Sequence, residues 1–314
     1  MSFRAERLVI SPAGGESFLD VFRSFVTHPA RGSCIALGLF DGLHLGHMAV
    51  IDTMLDKARQ SALTPVVFTF TGAPTAKGGR LLSGPMMESL LAQRGVRRMI
   101  CPDFEEFCEL TPHNFVSEVL HGRLGVAQVV CGYDFRFGKG AAGDLDTLHD
   151  LCSQFGIAVQ VVQAVMIDGA PVASRSVRAL VASGDIPKAS LLLGRPFAID
   201  FEVTKGRGLG RTIGFPTINQ QFPADFALPR FGAYATTTLL EGRSYRSITG
   251  VGLKPTVGGS QPMAETFIQG FEGQLYAQRV PVEFHKFLRP EKKFESIDAL
   301  REALECDMIN GEVN

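Results

Sequence analysis

Residues 33–47 read SCIALGLFDGLHLGH, and this stretch decides the fold of the first half of the chain. Residues 33–38 form a short apolar run that stops at a glycine, which is typical of a buried strand. Apolar residues then recur at helical spacing from Met48 to Ala58, so residues 40–47 lead into the N-terminus of a helix. Residues 65–70 predict the next strand. A strand–helix–strand unit is the right-handed crossover of a parallel sheet, whose ligands bind at the carboxyl ends of strands.

The same alternation continues to about residue 162 and predicts an α/β domain. Further strands are expected at 96–100, 128–131 and 157–162, and helices at 85–94, 111–120, 145–155, 174–183 and 186–193. After residue 196 the strands follow one another closely, at 197–205, 232–240, 244–251, 265–271 and 279–287. Closely spaced strands predict an antiparallel barrel or sandwich, and residues 296–309 predict a last helix. The expected domains are residues 1–186 and 187–314.

Net charge, cysteine spacing and the length of apolar runs argue against several classes of protein. The 314 residues include 31 basic and 32 acidic side chains, and a net charge of -1 leaves no overall basic footprint for nucleic acid. The six cysteines show no Cys-x-x-Cys spacing, which favours reduced thiols over a zinc site. No apolar run approaches the roughly 18 residues that a membrane helix needs. We therefore expect a soluble, cytoplasmic protein without membrane or nucleic-acid partners; the oligomeric state is not predicted.

Residues 205–219 of the second half read KGRGLGRTIGFPTIN. Glycines let the backbone approach a ligand, and Lys205, Arg207 and Arg211 suit an anionic one such as a polyphosphate. Thr217 and Asn219 alternate, so on an extended strand their oxygens share one face and suit Mg²⁺. A hairpin turn with solvated arginines is the alternative. The stretch is not a Walker loop, because no Gly-Lys-Ser/Thr closes it.

Other polar residues each allow two interpretations. His44 and His47, between a strand and a helix, could bind a metal or donate to phosphates, or could be surface histidines. The charges of the 132–140 loop, including Asp134, could face a ligand while Phe135 and Phe137 hold the loop to the core. Glu265, at the start of a predicted strand, is a general base or a solvated residue. The charged residues 289–293 form a solvated turn or a lid over a ligand.

Taken together, these motifs resemble the bacterial bifunctional riboflavin kinase/FAD synthetase family over nearly the whole chain. The matching residues of the first domain are Gly38, 40–47, 132–138 and Arg178; those of the second are 210–219, 254–256, Glu265, 275–276 and 288–294. The resemblance implies a Rossmann-like nucleotidyltransferase domain, followed by an antiparallel β-barrel of the riboflavin kinase type with a C-terminal helix.

The resemblance also implies two reactions and their residues. The second domain would phosphorylate riboflavin to FMN with ATP and Mg²⁺, Thr217 and Asn219 holding the metal and Glu265 acting as the base. The first domain would transfer AMP from ATP to FMN, giving FAD, with His44 and His47 stabilising the triphosphate. Nucleotide and phosphate contacts would come from Gly38, Phe40, Asp41, Gly42, Gly46, Asp134, Arg178, Gly206, Gly208, Gly210, Arg211 and Thr217, and flavin contacts from Phe215, Arg289 and Glu291.

Several positions depart from the family pattern. Leu39 stands where asparagine is usual, and residues 72–74 read GAP where Pro-His-Pro is usual. Residues 173–178 read ASRSVR where the family has Ser-Ser-Thr-x-x-Arg, so two hydroxyls are replaced by Ala173 and Arg175. An arginine of a phosphate-side loop is replaced by alanine at 141 or 142, and Ala277 replaces a glycine. The alternatives left open are a riboflavin kinase whose first domain only binds a nucleotide or partner and, more remotely, another cytidylyltransferase-like enzyme.

Overall fold

The computed structural model describes residues 6–10, 17–24, 32–72, 78–206, 215–256, 259–292 and 295–311. The chain divides into two compact units, the N-terminal unit (Met1–Pro74 with Gly84–Val172) and the C-terminal unit (Thr75–Ser83 with Ala173–Asn314). The predicted boundary between residues 186 and 187 stays a prediction. No described helix has both the length and the apolar character that crossing a membrane requires.

The N-terminal unit is built on a seven-stranded sheet in the order β1-β2-β5-β4-β3-β6-β7. Its strands are β1 Glu6–Ile10, β2 Ser17–Phe22, β3 Ser33–Leu37, β4 Thr64–Phe68, β5 Arg98–Ile100, β6 Val126–Gly132 and β7 Ala158–Val162. All neighbours are parallel except β1 and β2. The predicted parallel α/β sheet is confirmed. The pair β1–β2 was missed because it joins an edge of the sheet outside the strand–helix alternation.

Four described helices accompany this sheet: α1 Leu45–Gln60, α2 Gly84–Arg94, α3 Pro112–Asn114, which continues as a π-helix over Phe115–Leu124, and α4 Leu145–Gln154. A small ribbon of β8 Met166–Ile167 and β9 Ala170–Pro171 follows. The central strands are buried on both faces, since Cys34, Ile35 and Ala36 of β3 are fully buried. Apolar runs without alternation are typical of such strands.

The C-terminal unit holds a second seven-stranded sheet in the order β10-β16-β13-β14-β15-β12-β11. Its elements are α5 Ser174–Ser183, α6 Ile186–Leu193, β10 Phe197–Ile199, β11 Val203–Thr204, β12 Thr217–Gln221, β13 Gly232–Leu240, β14 Arg243–Thr256, β15 Gly259–Ile268, β16 Val282–Pro290 and α7 Ile297–Asn310. Every pairing is antiparallel, and the sheet forms a half-barrel, which confirms the predicted class.

Several strand limits differ from prediction: residues 197–205 form two strands, β10 and β11, and β14 continues to Thr256. Two further differences concern predicted site residues. Strand β15 begins at Gly259, so Glu265 lies well inside it, and β16 continues to Pro290, so Arg289 lies on a strand instead of in a turn. In both cases the paired strand sets the limit, because β15 pairs with β14 along ten positions and β16 pairs with β13 as far as Pro290. Strand ends depend on such partners more than on local composition.

A short segment before α2 belongs to the C-terminal unit. The Arg80 guanidinium lies 2.6 Å from the Asp225 carboxylate, and the buried Leu81 packs in the core with Val177 and Phe226. This discontinuity was not predicted, because a contiguous boundary is the simplest interpretation of a composition change.

Candidate active sites

One row of directly opposed residues crosses the half-barrel. In it, successive partners are Thr204, Asn219, Glu265, Gly250, Ala233 and Arg289. Directly opposed residues of an antiparallel sheet project to the same face. The predicted metal ligand Asn219, the predicted base Glu265 and the predicted flavin residue Arg289 therefore share one face of the sheet.

The Asn219 side chain is buried, and its main chain is bonded to the neighbouring strand β11. It is only 8% exposed, and a Cβ atom added to Gly206 would collide with its amide group. The Thr204 hydroxyl donates to the Asn219 main-chain oxygen across 3.3 Å. Thr217, two residues earlier on β12, is exposed on the same face. Thr217 and Asn219 therefore lie on one face of β12, as the alternation in the sequence predicted, and Asn219 lies directly opposite Glu265.

Two glycines of β14, Gly250 and Gly252, lie on the face of the sheet that carries Glu265. A Cβ atom on Gly250, its direct partner in β14, would meet only a backbone oxygen at 3.9 Å. The Glu291 carboxylate lies where a Cβ atom on Gly252 would stand, so a side chain at this second glycine would displace that carboxylate. The face of the sheet beside Glu265 is therefore open at Gly250 and covered by a carboxylate at Gly252. The importance of both glycines was missed, because their function depends on cross-strand register.

Arg289 is fixed by an acid of the last helix. Its guanidinium donates to both carboxylate oxygens of Asp307, with distances of 2.7 to 3.2 Å, and Asp307 is buried. A bidentate pair of this kind sets the orientation of the arginine as well as its charge. Beside it lies a cavity of about 460 Å³ lined by Lys286, Leu288, Arg289, Ala303, Cys306, Asp307 and Asn310. Asp307 was missed because nothing local distinguishes it from other acids of an amphipathic helix.

Of the other predicted residues on this part of the chain, the structure describes some and leaves others out. The Phe215 ring packs edge-on against Phe267, with ring centres 4.8 Å apart. Gly208, Gly210 and Arg211 lie outside the described residues. In α5, the Arg178 side chain donates to the Gly79 main-chain oxygen across 2.7 Å. Ala173 caps α5 without a side-chain hydrogen bond, and Arg175 is exposed.

In the N-terminal unit, His44 is the N-cap of α1. Its Nδ1 atom accepts a hydrogen bond from the His47 main-chain N–H across 3.3 Å. Because Nδ1 accepts, the neutral ring carries its proton on Nε2, where it can be donated to a ligand. The two imidazoles stack with centres 3.6 Å apart. The close approach needs Gly46, since a Cβ atom there would lie 3.1 Å from the His44 ring.

The His47 ring is mostly enclosed. Its Nδ1 atom is buried, with no hydrogen-bond partner in the described part of the chain. Burial lowers the pKa of His47 well below its ordinary value, and the neighbouring His44 lowers the pKa further. The ring is therefore neutral near pH 7 and interacts with anions through an N–H dipole instead of a full charge.

Strained backbone shapes the loop before α1. Phe40 and Leu43 have positive φ angles of 54° and 42°, with Gly42 at 85° between them. The Phe40 ring is buried, lies 5.5 Å from the His47 ring and covers the space where a Cβ atom on Gly38 would stand. Positive φ at a bulky residue is uncommon and clusters at functional sites. The buried Phe40 ring supports this loop. A contact between Phe40 and a nucleotide would therefore involve the main chain of Phe40.

The loop after β6 lies at the neighbouring strand end. Phe137 is buried and Phe135 packs beside it in the core, which confirms that these rings hold the loop in place. Asp134 is exposed. The loop cations make ion pairs that the sequence did not predict, Lys139 with Glu109 at 2.6 Å and Arg136 with Asp144 at 3.8 Å.

Comparisons with known proteins match each half of the chain separately and then the whole. A FAD synthetase family model matches residues 26–176, and a riboflavin kinase family model matches residues 193–312. Proteins described as bifunctional riboflavin kinase/FMN adenylyltransferase are 33% identical in Pseudomonas fluorescens (89% of this chain, 92% of that protein) and 33% identical in Bacillus subtilis strain 168 (90% and 94%). A crystal structure of a macrolide-efflux protein from Streptococcus pneumoniae matches with a TM-score of 0.80 and 26% identity, covering 92% of this chain and 97% of that one.

Proposed function

The chain belongs to the bifunctional riboflavin kinase/FMN adenylyltransferase family, and from this premise we propose that it makes FMN from riboflavin and FAD from FMN. The C-terminal unit transfers the γ-phosphoryl group of ATP to riboflavin. The N-terminal unit transfers AMP from ATP to FMN and releases pyrophosphate. The main support for the kinase reaction is the direct pairing of Asn219 with Glu265 on one face of the half-barrel.

In the kinase reaction, Glu265 takes the proton of the riboflavin 5′-hydroxyl as the hydroxyl oxygen attacks the γ-phosphorus of ATP. The bond from the γ-phosphorus to the bridging β-phosphate oxygen breaks, and ADP leaves. A general base must lie within reach of the proton that it removes, and the bare backbone at Gly250 leaves room for the ribityl chain beside Glu265. Phosphoryl transfer otherwise depends on positioning and charge stabilisation. We assign the positioning of the flavin to Phe215, Arg289 and Glu291, with Asp307 fixing the Arg289 guanidinium.

The oxygens at Thr217 and Asn219 fit Mg²⁺. The ion accepts hard oxygen ligands and keeps its waters and substrate phosphates, so a hydroxyl and an amide suffice on the protein side. The described residues contain no cluster of three or more His, Cys, Asp or Glu side chains that could hold a metal. When bound, Mg²⁺ neutralises charge on the ATP phosphates. Gly206 supports this assignment, because a side chain at that position would collide with the Asn219 amide.

In the adenylyl transfer, a phosphate oxygen of FMN attacks the α-phosphorus of ATP. The bond to the β-phosphate oxygen breaks, and pyrophosphate leaves. His44 donates through Nε2–H and His47 through its neutral ring, while the first N–H groups of α1 point toward the same anion. We also assign nucleotide contacts to Gly38, Asp41, Gly42, Gly46 and Asp134. The nucleotide contact of Arg178, which lies in the C-terminal unit, stays a prediction.

One incubation tests both reactions. The full chain is mixed with riboflavin, ATP and Mg²⁺, and the flavins are separated by chromatography over time. We expect FMN to form first and FAD to follow. Formation of FMN without FAD, also when FMN is supplied, would refute the adenylyl transfer, and the absence of any FMN would refute the kinase.

Asn219→Ala tests the metal assignment. We expect riboflavin phosphorylation at low Mg²⁺ to fall about 10- to 100-fold, with partial recovery at high Mg²⁺, because one oxygen ligand is lost. The measurement is the initial rate as a function of Mg²⁺ concentration. Gln221→Ala is the matched control, since Gln221 is exposed on the same strand. An unchanged Mg²⁺ dependence of Asn219→Ala would remove Asn219 from the metal site.

A further inference from the structure

The strand order of the N-terminal unit identifies where its ligand binds. After β3 the chain continues to β4 on one side, and it later returns to β6 on the other side of β3. The direction of winding therefore reverses between β3 and β6. In open α/β sheets, ligands bind in the crevice beyond the carboxyl ends of the strands at this reversal.

Two large apolar side chains stand at this reversal and face solvent. Leu37 at the end of β3 pairs directly with Cys131 of β6, and Leu39 and Tyr133 each follow two residues later. Leu39 is 45% exposed and Tyr133 is 41% exposed. A single exposed leucine carries no information, but two apolar residues at the two strand ends that border one crevice form a surface suited to a flat ring.

Both residues are carried by firmly anchored backbone. The main-chain oxygen of Leu39 accepts a hydrogen bond from the buried Thr69 hydroxyl across 2.9 Å, and the next residue, Phe40, is buried. Tyr133 lies in a turn closed by a hydrogen bond from the Phe135 N–H to the Gly132 oxygen, and the Phe135 ring packs against the core. The anchoring aromatic side chains point inward, and Leu39 and Tyr133 are left to contact a ligand.

The loop that carries Leu39 also carries the phosphate-binding end of the site. His44 lies five positions after Leu39 and begins α1, whose N–H groups attract anions. A nucleotide presents a charged phosphate end and a flat, poorly hydrated ring. We propose that Leu39 and Tyr133 form an apolar subsite for the flat heteroaromatic ring of a phosphorylated substrate of this unit, either the adenine of ATP or the isoalloxazine of FMN. This inference rests on the proposed adenylyl transfer.

The test is steady-state kinetics of FAD formation from supplied FMN and ATP, with each substrate varied in turn. We expect Tyr133→Leu to raise the KM of one substrate about tenfold while kcat changes little, because stacking stabilises the bound ring. Tyr133→Phe keeps the ring and should behave like the wild type. Leu39→Ala should raise the KM of the same substrate. The substrate whose KM rises identifies the ring.

Matched controls separate this effect from misfolding. Leu191→Ala and Tyr276→Leu change side chains of similar exposure, 54% and 46%, in the C-terminal unit, and should leave both KM values unchanged. The thermal midpoint of each variant reports whether the chain is folded. If the wild type makes FAD and both KM values of folded Tyr133→Leu and Leu39→Ala match it, the subsite is refuted. If the wild type makes no FAD, the proposed adenylyl transfer itself fails.

Discussion

Replacing Glu265 by glutamine should lower the rate of riboflavin phosphorylation about 10²- to 10⁴-fold, the range that a positioned general base contributes. Glutamine preserves the size of the side chain and its hydrogen bonding, but it cannot take the proton of the 5′-hydroxyl. The sheet around it should be unaffected, because Glu265 is held by β15, paired with β12 on one side and β14 on the other. The measurement is kcat and KM for riboflavin at saturating ATP and Mg²⁺.

The same chain provides the control for Glu265→Gln. FAD formation from supplied FMN depends on the N-terminal unit and should continue at the wild-type rate. Glu283→Gln is the matched substitution, since Glu283 is also a half-buried strand residue of the C-terminal unit and lies outside the row that holds Glu265. A variant that loses only affinity for riboflavin, with kcat retained, would show that Glu265 binds the substrate and is not the base.

Much of the fold follows from local patterns. The limits predicted for β13, α5 and α6 match the observed ones. In each case apolar residues recur with the period of the element, and a glycine marks its boundary. The parallel sheet followed from strands alternating with helices. The π-helix at Phe115–Leu124 was predicted as an ordinary helix, since its apolar spacing differs little from an α-helix over so short a length.

Long-range pairing accounts for most of what was missed. Alternation placed Thr217 and Asn219 on one face, but nothing local set Glu265 opposite Asn219, because register depends on turns and partners elsewhere in the sheet. The interior of the half-barrel gives a second case. Thr236, Ser247, Thr249 and Thr266 are buried and satisfy one another through hydrogen bonds of 2.9 Å. Whether these side chains face solvent or one another depends on the pairing of three strands, β13, β14 and β15, which local sequence does not show.

Spacing was more informative where the residues are close in the chain. His44 and His47 lie three positions apart at a helix start, which brings them to one face of one turn. The stacking of their rings and the hydrogen bond that fixes the His44 proton on Nε2 required the strained loop of Phe40 and Leu43 and the absence of a side chain at Gly46. Local sequence therefore predicts which residues form this site, whereas the arrangement of the two rings depends on the strained backbone of the loop.

His44→Asn should lower FAD formation from FMN and ATP about 10²- to 10³-fold, as expected when one donor to a developing phosphate charge is lost. Asparagine is among the best N-cap residues, so it replaces the acceptor for the His47 N–H and keeps α1 intact. It cannot replace the Nε2–H. His44→Ala loses the cap as well, at a cost of about 1 kcal/mol, and should be both inactive and less stable. Activity is measured as FAD formed from FMN, and stability as the thermal midpoint.

The comparison of these two variants separates catalysis from folding. If the His44→Asn chain keeps the wild-type melting temperature and still phosphorylates riboflavin normally, its loss of FAD formation belongs to the imidazole. His149→Asn is the matched control, because His149 is exposed on α4 of the same unit, and it should leave FAD formation unchanged. FAD formation by His44→Asn within about threefold of the wild type would contradict the role of the ring.

Since His44 and His47 stack, the double variant His44→Asn/His47→Ala should be little worse than His44→Asn alone, because the effects of residues that act as one unit are not additive.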